Sequence, residues 1–209
     1  MNKLTMKENG FEYVDLGLPS GTMWATCNVG ASRHEDSGLL FQFGRVNGYK
    51  YGDNNRVINN NQTTTSGKTY KRNNILELED DAAYVHMGGK WRMPTKCQLK
   101  ELLDNVTYDV ENMNGVKGVL FISNINGHHL FIPFAEYWRY GKYYSNRSYG
   151  LAWSSQVNVA HEDCANCLYC NNSIVGTCII ILHSVFMHFQ YVVYLKNNMF
   201  HIRKNNKFV

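Results

Sequence analysis

Three cysteines lie close together in the C-terminal third of the chain, and a fourth follows them. Cys164, Cys167 and Cys170 form the sequence CANCLYC, and Cys178 completes a set of four thiols within 15 residues. Such a density is typical of zinc and iron–sulfur sites. On a β-strand, however, residues three apart point to opposite faces, which disfavours one shared metal ion. We therefore predict no metal site and no cofactor, and leave open a disulfide, which requires an oxidising environment.

Other patterns of catalytic chemistry are absent from the sequence. The eight histidines show no HExxH spacing, and the chain has no GxSxG elbow and no glycine-rich phosphate loop. Four acidic residues, Glu77, Glu79, Asp80 and Asp81, form a cluster that we interpret as the solvated start of a helix and not as a calcium cage. The sequence predicts that the protein is not an enzyme, with a thiol- or metal-dependent enzyme as an alternative.

Composition sets the broad class of the protein. The 209 residues suit one domain, and 44% hydrophobic residues with 14 tyrosines exclude a disordered chain. The net charge of +4 is modest and the basic residues are scattered, so no nucleic-acid partner is expected. No apolar run has the length of a secretory signal or a membrane helix, so no membrane insertion is expected either.

Strand patterns occur near the start of the chain and after its middle. Residues 12–16 and 22–27 are predicted strands joined by the turn signal Leu18-Pro19-Ser20-Gly21. Residues 119–123 and 129–133 flank an Asn-Gly turn and predict a second hairpin. These strands are predicted to form an antiparallel sheet.

Two helices are predicted between the hairpins, after a long surface loop at residues 44–74 that is rich in Gly, Asn, Thr and Ser. Residues 75–86 carry apolar side chains at helical spacing, namely Ile75, Leu78, Ala82 and Val85. A second helix begins at Thr95, which can form a capping box with Gln98, and ends near Asn105. Its buried stripe is predicted to be Leu99, Leu102 and Leu103. Helices segregated from hairpins predict the α+β class with mainly antiparallel sheet.

Four segments of the chain resemble a known family. They are VDLGLPSGTMWATCNVGA (14–31), DAAYVHMGGKWRMPTKCQLKELLDN (81–105), NGVKGVLF (114–121) and LAWSSQVN (151–158). Together they resemble the Fibrobacter succinogenes-type major paralogous domain of gut Bacteroidetes and their phages. The resemblance implies a C-type-lectin-like fold, extracellular or virion-borne binding, and no general catalytic activity. We interpret Trp24, Trp91, Arg92 and Trp153 as scaffold residues, with Trp91 packed beside the second helix.

Residues 163–186 depart from what the resemblance implies. Related domains continue after Trp153 with Asn-, Ser- and Tyr-rich sequence, and many are targets of diversity-generating retroelements, which mutate adenines copied from a template repeat. Here Cys, Tyr, Ile, Gly, Leu and His replace the implied Asn at several positions. All six types are reachable from an Asn codon by changing its first two adenines. Lys, Glu, Gln, Met and Trp are not reachable, and none occurs in this segment, although they make up 39 of the 209 residues. The pattern predicts a diversified segment, with a decayed repeat as the alternative.

The diversified segment is predicted to be the ligand-binding surface. We expect a single lectin-like domain over residues 1–209, with scaffold at 10–155, a variable region at 156–193 and a tail at 194–209. In the strand that holds CANCLYC, Leu168 is expected to point inward while Cys167, Tyr169 and Asn171 point outward. The predicted contact residues are Cys164, Cys167, Tyr169, Cys170, Ile174, Gly176, Cys178, Ile180, His183, Val185, Phe186 and His188.

The apolar run Cys178-Ile179-Ile180-Ile181-Leu182 has two interpretations, a buried strand or an exposed patch. An exposed patch favours a protein ligand over a sugar. We predict a phage receptor-binding or surface adhesin module that binds a protein or surface receptor on a bacterial cell. We place it on a virion or bacterial cell surface, with a cytoplasmic location left open. A structural virion or fimbrial subunit is the alternative, in which the run forms a homo-oligomer interface.

Overall fold

A computed structural model of the protein describes residues 6–50, 64–139, 142–181, 185–188 and 193–195. Within these ranges the chain forms two α-helices, one 3-10 turn (Leu78–Asp80) and thirteen strands. The helices are α1 (Ala82–Met87) and α2 (Lys96–Asp104). The strands are β1 (Met6–Glu8), β2 (Phe11–Asp15), β3 (Thr22–Ala25), β4 (Leu40–Gln42), β5 (Val106–Met113), β6 (Val116–Ser123), β7 (His129–Pro133), β8 (Ala135–Arg139), β9 (Lys142–Val157), β10 (Cys164–Cys170), β11 (Val175–Ile181), β12 (Val185–His188) and β13 (Val193–Leu195).

The strands form three sheets, and every strand pair is antiparallel. The sheet orders are β1-β2-β3-β13, β11-β10-β9-β8-β12-β4 and β5-β6-β7. Strand β9 is long enough to pair with β8 through its first half and with β10 through its second half. The predicted α+β class with two helices and mainly antiparallel sheet is confirmed.

Both predicted hairpins are present. Strands β2 and β3 pair across a turn closed by the Gly21 N–H, which donates to the Leu18 carbonyl at 2.8 Å. Strands β6 and β7 pair as expected, and β5, which the sequence did not indicate as a separate strand, extends their sheet. The described parts of the predicted loop 44–74 hold no helix or named strand, and its residues 51–63 lie outside the described ranges.

Helix α2 matches its predicted bounds, and its stripe is buried at Leu99 and Leu102 but only partly at Leu103. The first helix does not match its prediction. Thr95 and Gln98 form the capping box, and Asn105 is the C-terminal cap. The first helical segment is instead a 3-10 turn followed by six residues of α-helix. Its predicted apolar stripe is wrong, because Ile75, Leu78 and Val85 are about half exposed. The buried positions of α1 are Ala82, Ala83 and Met87, so this helix packs through two alanines and one methionine.

Two hydrophobic clusters lie on opposite faces of the β9–β10 pair. The first cluster includes Trp153 and Cys167 and packs against α1. The second cluster includes Ala152 and Leu168 and packs against the Leu99 and Leu102 face of α2. Strand β10 is therefore an interior strand with core on both sides.

The three tryptophans that were predicted to be scaffold residues are buried in the core. Trp24, Trp91 and Trp153 are fully buried. The Trp91 ring lies in the first cluster with α1, so the expectation that it packs beside the second helix is wrong. Its indole N–H donates to the Glu8 carbonyl at 2.9 Å. Arg92 bonds to backbone carbonyls and stacks over the Tyr84 ring at 4.3 Å.

The acidic cluster divides into exposed and buried members. Glu77 and Glu79 are exposed and pair with Lys68. Asp80 is fully buried and accepts from Tyr70 Oη at 2.8 Å. Asp81 is 2% exposed, so the expectation of a solvated cluster is wrong for both aspartates. Asp80 holds the loop that carries Ser66 and Tyr70, whereas Asp81 lies at the start of helix α1.

Asp81 joins helix α1 to the strand-like segment after it. Its carboxylate accepts from the Tyr84 N–H at 3.0 Å, which caps the helix, and from the Met93 N–H at 3.0 Å. Burial raises the pKa of Asp81 to about 6 because desolvation outweighs these donors. The folded carboxyl therefore keeps its proton in a pH range where the unfolded carboxyl has lost it.

The contribution of Asp81 to the free energy of unfolding is expected to fall as the pH rises from about 4 to about 6. Because the pKa of Asp81 is raised in the folded protein, its stabilisation of the fold is fully present below the ordinary carboxyl pKa. This stabilisation, at most roughly 3 kcal/mol, is lost as the pH rises through the pKa of the folded protein. Urea unfolding of the wild type and Asp81→Asn from pH 4 to pH 7 measures it. The amide oxygen of the variant can still accept from Tyr84 and Met93, so only the pH dependence should disappear. If the free energy of unfolding of the two proteins changes equally with pH, the pH dependence does not come from Asp81.

Candidate functional site

The predicted contact residues are centred on the β10–β11 hairpin. Its register places Cys167 opposite Cys178 and Tyr169 opposite Gly176. The turn between the strands is closed by Asn171, whose side-chain oxygen accepts from the Ser173 and Ile174 N–H groups, each at 2.8 Å. The hairpin is therefore a well-defined element that ends in a short, side-chain-stabilised turn.

Cys167 and Cys178 form a disulfide between β10 and β11, with their Cα atoms 5.3 Å apart. This pairing was left open by the sequence, and it ties the outer strand to the interior strand. Cys164 and Cys170 are free thiols, and burial raises the pKa of Cys170 to about 12 and that of Cys164 to about 11. The part of the chain that the structure describes contains no group of three His, Cys, Asp or Glu side chains that could hold a metal ion.

Three of the predicted contact residues are buried. Cys164 is 8% exposed, and Cys167 and Cys170 are fully buried. The expectation that Cys167 points out to solvent is wrong, because the first cluster covers that face of β10. Leu168 points into the second cluster, as predicted. The prediction that Cys167 and Leu168 point to opposite faces of β10 is confirmed, but a hydrophobic cluster covers each of these faces.

One face of the hairpin keeps partly exposed side chains. Tyr169, Cys178 and Ile180 are half-buried and pack against the edge of the first cluster. Gly176 lies opposite Tyr169, and a Cβ atom at this glycine would have no heavy atom within 4 Å. The sheet therefore leaves open space beside the Tyr169 ring, which larger residues at position 176 could fill.

Four tyrosines extend this face across β8, β9 and β10. The rings of Tyr137 and Tyr144 stack with centroids 4.8 Å apart. Tyr149 contacts Tyr137 at 5.9 Å and Tyr169 at 5.5 Å. All four are half-buried. We call this row the tyrosine ladder, and the sheet face that carries the ladder together with Gly176, Cys178 and Ile180 the ladder face.

One end of the ladder is held by a polar contact. Asn171 donates its amide to the Tyr169 hydroxyl at 2.7 Å. This bond orients the Tyr169 ring beside the turn of the hairpin. Tyr137, Tyr144 and Tyr149 were not among the predicted contact residues, although the Tyr-rich stretch EYWRYGKYYSNRSY was a signal for them.

The other predicted contact residues are separated from one another. Ile174 is 58% exposed at the hairpin turn. Val185, Phe186 and His188 belong to β12, which lies between β8 and β4 and not beside β11. His183 lies outside the described residues. The predicted segment is therefore not one continuous surface, and the ladder occupies the strands between its two parts.

No family model, curated protein or solved structure matches the chain. The family resemblance of the sequence therefore stays a prediction. The ladder face and the β10–β11 hairpin are the features of the structure that bear on function.

A shallow depression elsewhere on the molecule carries charged groups that pair with one another. It has a volume of about 720 Å³ and is lined in part by Lys68, Glu77, Glu79 and Tyr84. The Lys68 ammonium pairs with both glutamates, at 2.6 Å from Glu79. These mutual ion pairs leave the ladder face as the stronger candidate. In the described part of the chain, neither helix has the length and apolar character needed to span a bilayer.

Proposed function

We propose that the protein is a ligand-binding module with a C-type-lectin-like fold, which binds through the ladder face and the turn of the β10–β11 hairpin. The observation that carries this proposal is the continuity of the tyrosine ladder with Gly176, Cys178 and Ile180 on one side of the sheet. Tyrosine gives a large contact area with few rotatable bonds, which is why paratopes are rich in it. A rigid sheet that presents such rings loses little entropy on binding.

The division between buried and exposed positions supports a diversified surface. Ile174 is exposed and Gly176 has open space around it, so other side chains at these positions need not disturb the core. Ala165 and Leu168 of the same segment are fully buried. A retroelement that changes only exposed positions would vary the contacts without unfolding the domain.

A protein surface is the proposed ligand class. The turn of the hairpin exposes Ile174, Ile180 lies on the ladder face, and β11 carries no charged residue. Sugar recognition depends on directional hydrogen bonds, whereas an isoleucine on the same face as the tyrosines suits an apolar protein epitope. We propose a receptor protein on a bacterial cell, bound by a phage virion or by another cell's surface. The Cys167–Cys178 disulfide supports a location outside the reducing cytoplasm.

Binding to intact gut Bacteroidetes cells tests this function. We expect the labelled protein to bind cells of some strains, to lose binding after protease treatment of the cells, and to keep it after periodate oxidation of their glycans. Tyr149→Ser and Gly176→Lys are each expected to weaken binding by about tenfold or more, because they remove or block the centre of the surface. Tyr108→Ser is the matched control, since Tyr108 is a 45% exposed tyrosine on a different sheet.

Three outcomes would contradict parts of the proposal. Absence of binding across the strain panel, or an equal loss in the Tyr108 variant, would overturn the ladder face as a binding site. Binding that resists protease but is abolished by periodate would identify a glycan ligand and overturn the proposed ligand class.

The encoding locus tests the diversification separately. We expect a nearby reverse transcriptase gene and a template repeat that matches the codons of residues 163–186 except at adenines. If neither is present, the diversified surface is overturned, and the cell-binding assay still decides whether the module binds a ligand.

A further inference from the structure

Among the described residues, strand β11 forms an edge of the six-stranded sheet with no strand on its outer side. It is the outermost strand, and β10 is its only strand partner among the described residues. Outside that pairing, the described part of the chain contributes no backbone hydrogen bond to β11. About half of the backbone N–H and C=O groups of an edge strand point away from its single neighbour. They form a template on which another strand can pair.

The other long edge strands of the molecule carry features that prevent pairing, and β11 does not. Strand β5 has Asp109 and Glu111, and β7 ends at Pro133. The short edge strand β1 contains Lys7 and Glu8. Charges and proline are the usual protection of sheet edges. The sequence VGTCIII of β11 contains neither, and the Cys167–Cys178 disulfide holds this unprotected edge in place.

We propose that β11 pairs with β11 of a second copy of the chain, antiparallel, about a two-fold axis at Cys178. This register is the one that pairs all seven residues of the strand. It places Gly176 opposite Ile180 of the second copy on the ladder face, so a residue without a side chain faces a large one. On the other face Thr177 lies opposite Ile179 of the second copy, and both are exposed in the single chain. No charged residue of either strand opposes another.

The dimer has a consequence for the ladder face. A two-fold axis perpendicular to the sheet keeps the same face of both copies on the same side. The two six-stranded sheets become one sheet of twelve strands, with two tyrosine ladders on one side. The pairing needs no ligand, so its tests are independent of the proposed function.

Cross-linking through Cys178 tests the register. Cys167→Ser frees Cys178, which the dimer places directly opposite Cys178 of the second copy, at a spacing that a disulfide can bridge. With copper–phenanthroline and oxygen as the oxidant that takes up the two electrons, we expect a dimer band on a non-reducing gel and a Cys178–Cys178 peptide by mass spectrometry. Cys178→Ser is the matched control, because it leaves Cys167 buried on the neighbouring strand. A folded Cys167→Ser protein that stays monomeric, or a cross-link through other cysteines only, would overturn the proposal.

Charge placement tests the same pairing with the disulfide intact. The T177K/I179K variant opposes lysine to lysine at two cross-strand pairs of the dimer, whereas T177E/I179K opposes glutamate to lysine at both. In sedimentation experiments over a range of concentrations, we expect T177K/I179K to be monomeric and T177E/I179K to dimerise. Far-UV circular dichroism confirms that each variant is folded. A wild type that is monomeric at every concentration, or two variants that behave alike, would overturn the proposal.

Discussion

Leu168→Ala is expected to lower the free energy of unfolding by about 2–5 kcal/mol, the range for a leucine removed from a packed core. Leu168 is fully buried in the second cluster with Trp24, Leu99 and Phe121. Elements from distant parts of the chain meet at this side chain, so they cannot all move to fill the space it leaves. Denaturant unfolding followed by tryptophan fluorescence measures the loss.

The matched control is Ile174→Ala. Ile174 lies in the hairpin turn, three residues after Asn171. Ile174 is 58% exposed, so its truncation is expected to change stability by no more than about 0.5 kcal/mol. The contrast between the two positions is what a scaffold with a variable surface requires. If both variants are equally mild, Leu168 is not a fixed support of the surface, and the division into scaffold and surface fails.

Features that depend on neighbouring residues were predicted well from the sequence. The capping box of α2 needs only Thr95 and Gln98, three residues apart, and the structure contains it. The two predicted hairpins are specified by turn residues between apolar strands. In each case the residues that decide the conformation lie within one short window, and the local physical rules apply directly.

Features that depend on distant residues were not predicted. Cys167 was expected at the surface, but its face of β10 is covered by Phe41, Met93 and Trp153, which come from three separate segments. Asp81 was expected in solvent, but it accepts a bond from Met93, twelve residues away. Alternation along a strand shows which residues share a face, and only the packing of other elements shows whether that face is exposed.

The tyrosine ladder illustrates the same limit at the candidate site. Tyr137 and Tyr144 meet because β8 and β9 pair as a hairpin, and Tyr149 joins them only because the register shifts between Ala135 and Tyr137. A sequence pattern does not reveal such an irregularity. The abundance of tyrosine indicated a contact surface, but its position required the register of three strands.

Removal of the Cys167–Cys178 disulfide is expected to lower the free energy of unfolding by about 3 kcal/mol, which is the loop-entropy estimate for a short closed loop. The bond joins residues 11 apart in sequence. Unfolding of the wild type with and without dithiothreitol, and of the double variant C167A/C178A, measures the effect. The reduced wild type and the double variant should agree. Cys97→Ser, which removes an exposed free thiol, is the control and should change little.

Hydrogen exchange shows where this stability acts. Strand β11 has β10 as its only strand partner among the described residues, whereas β9 is paired on both sides. In the monomer, reduction is therefore expected to speed amide exchange in β11 much more than in β9, because an edge strand loses its covalent attachment while an interior strand keeps both neighbours. If exchange speeds up equally in both strands, the disulfide stabilises the whole domain by restricting the unfolded chain. If only β11 responds, the bond specifically holds the hairpin that carries Gly176 and Ile180, and a reducing environment would disorder that side of the ladder face.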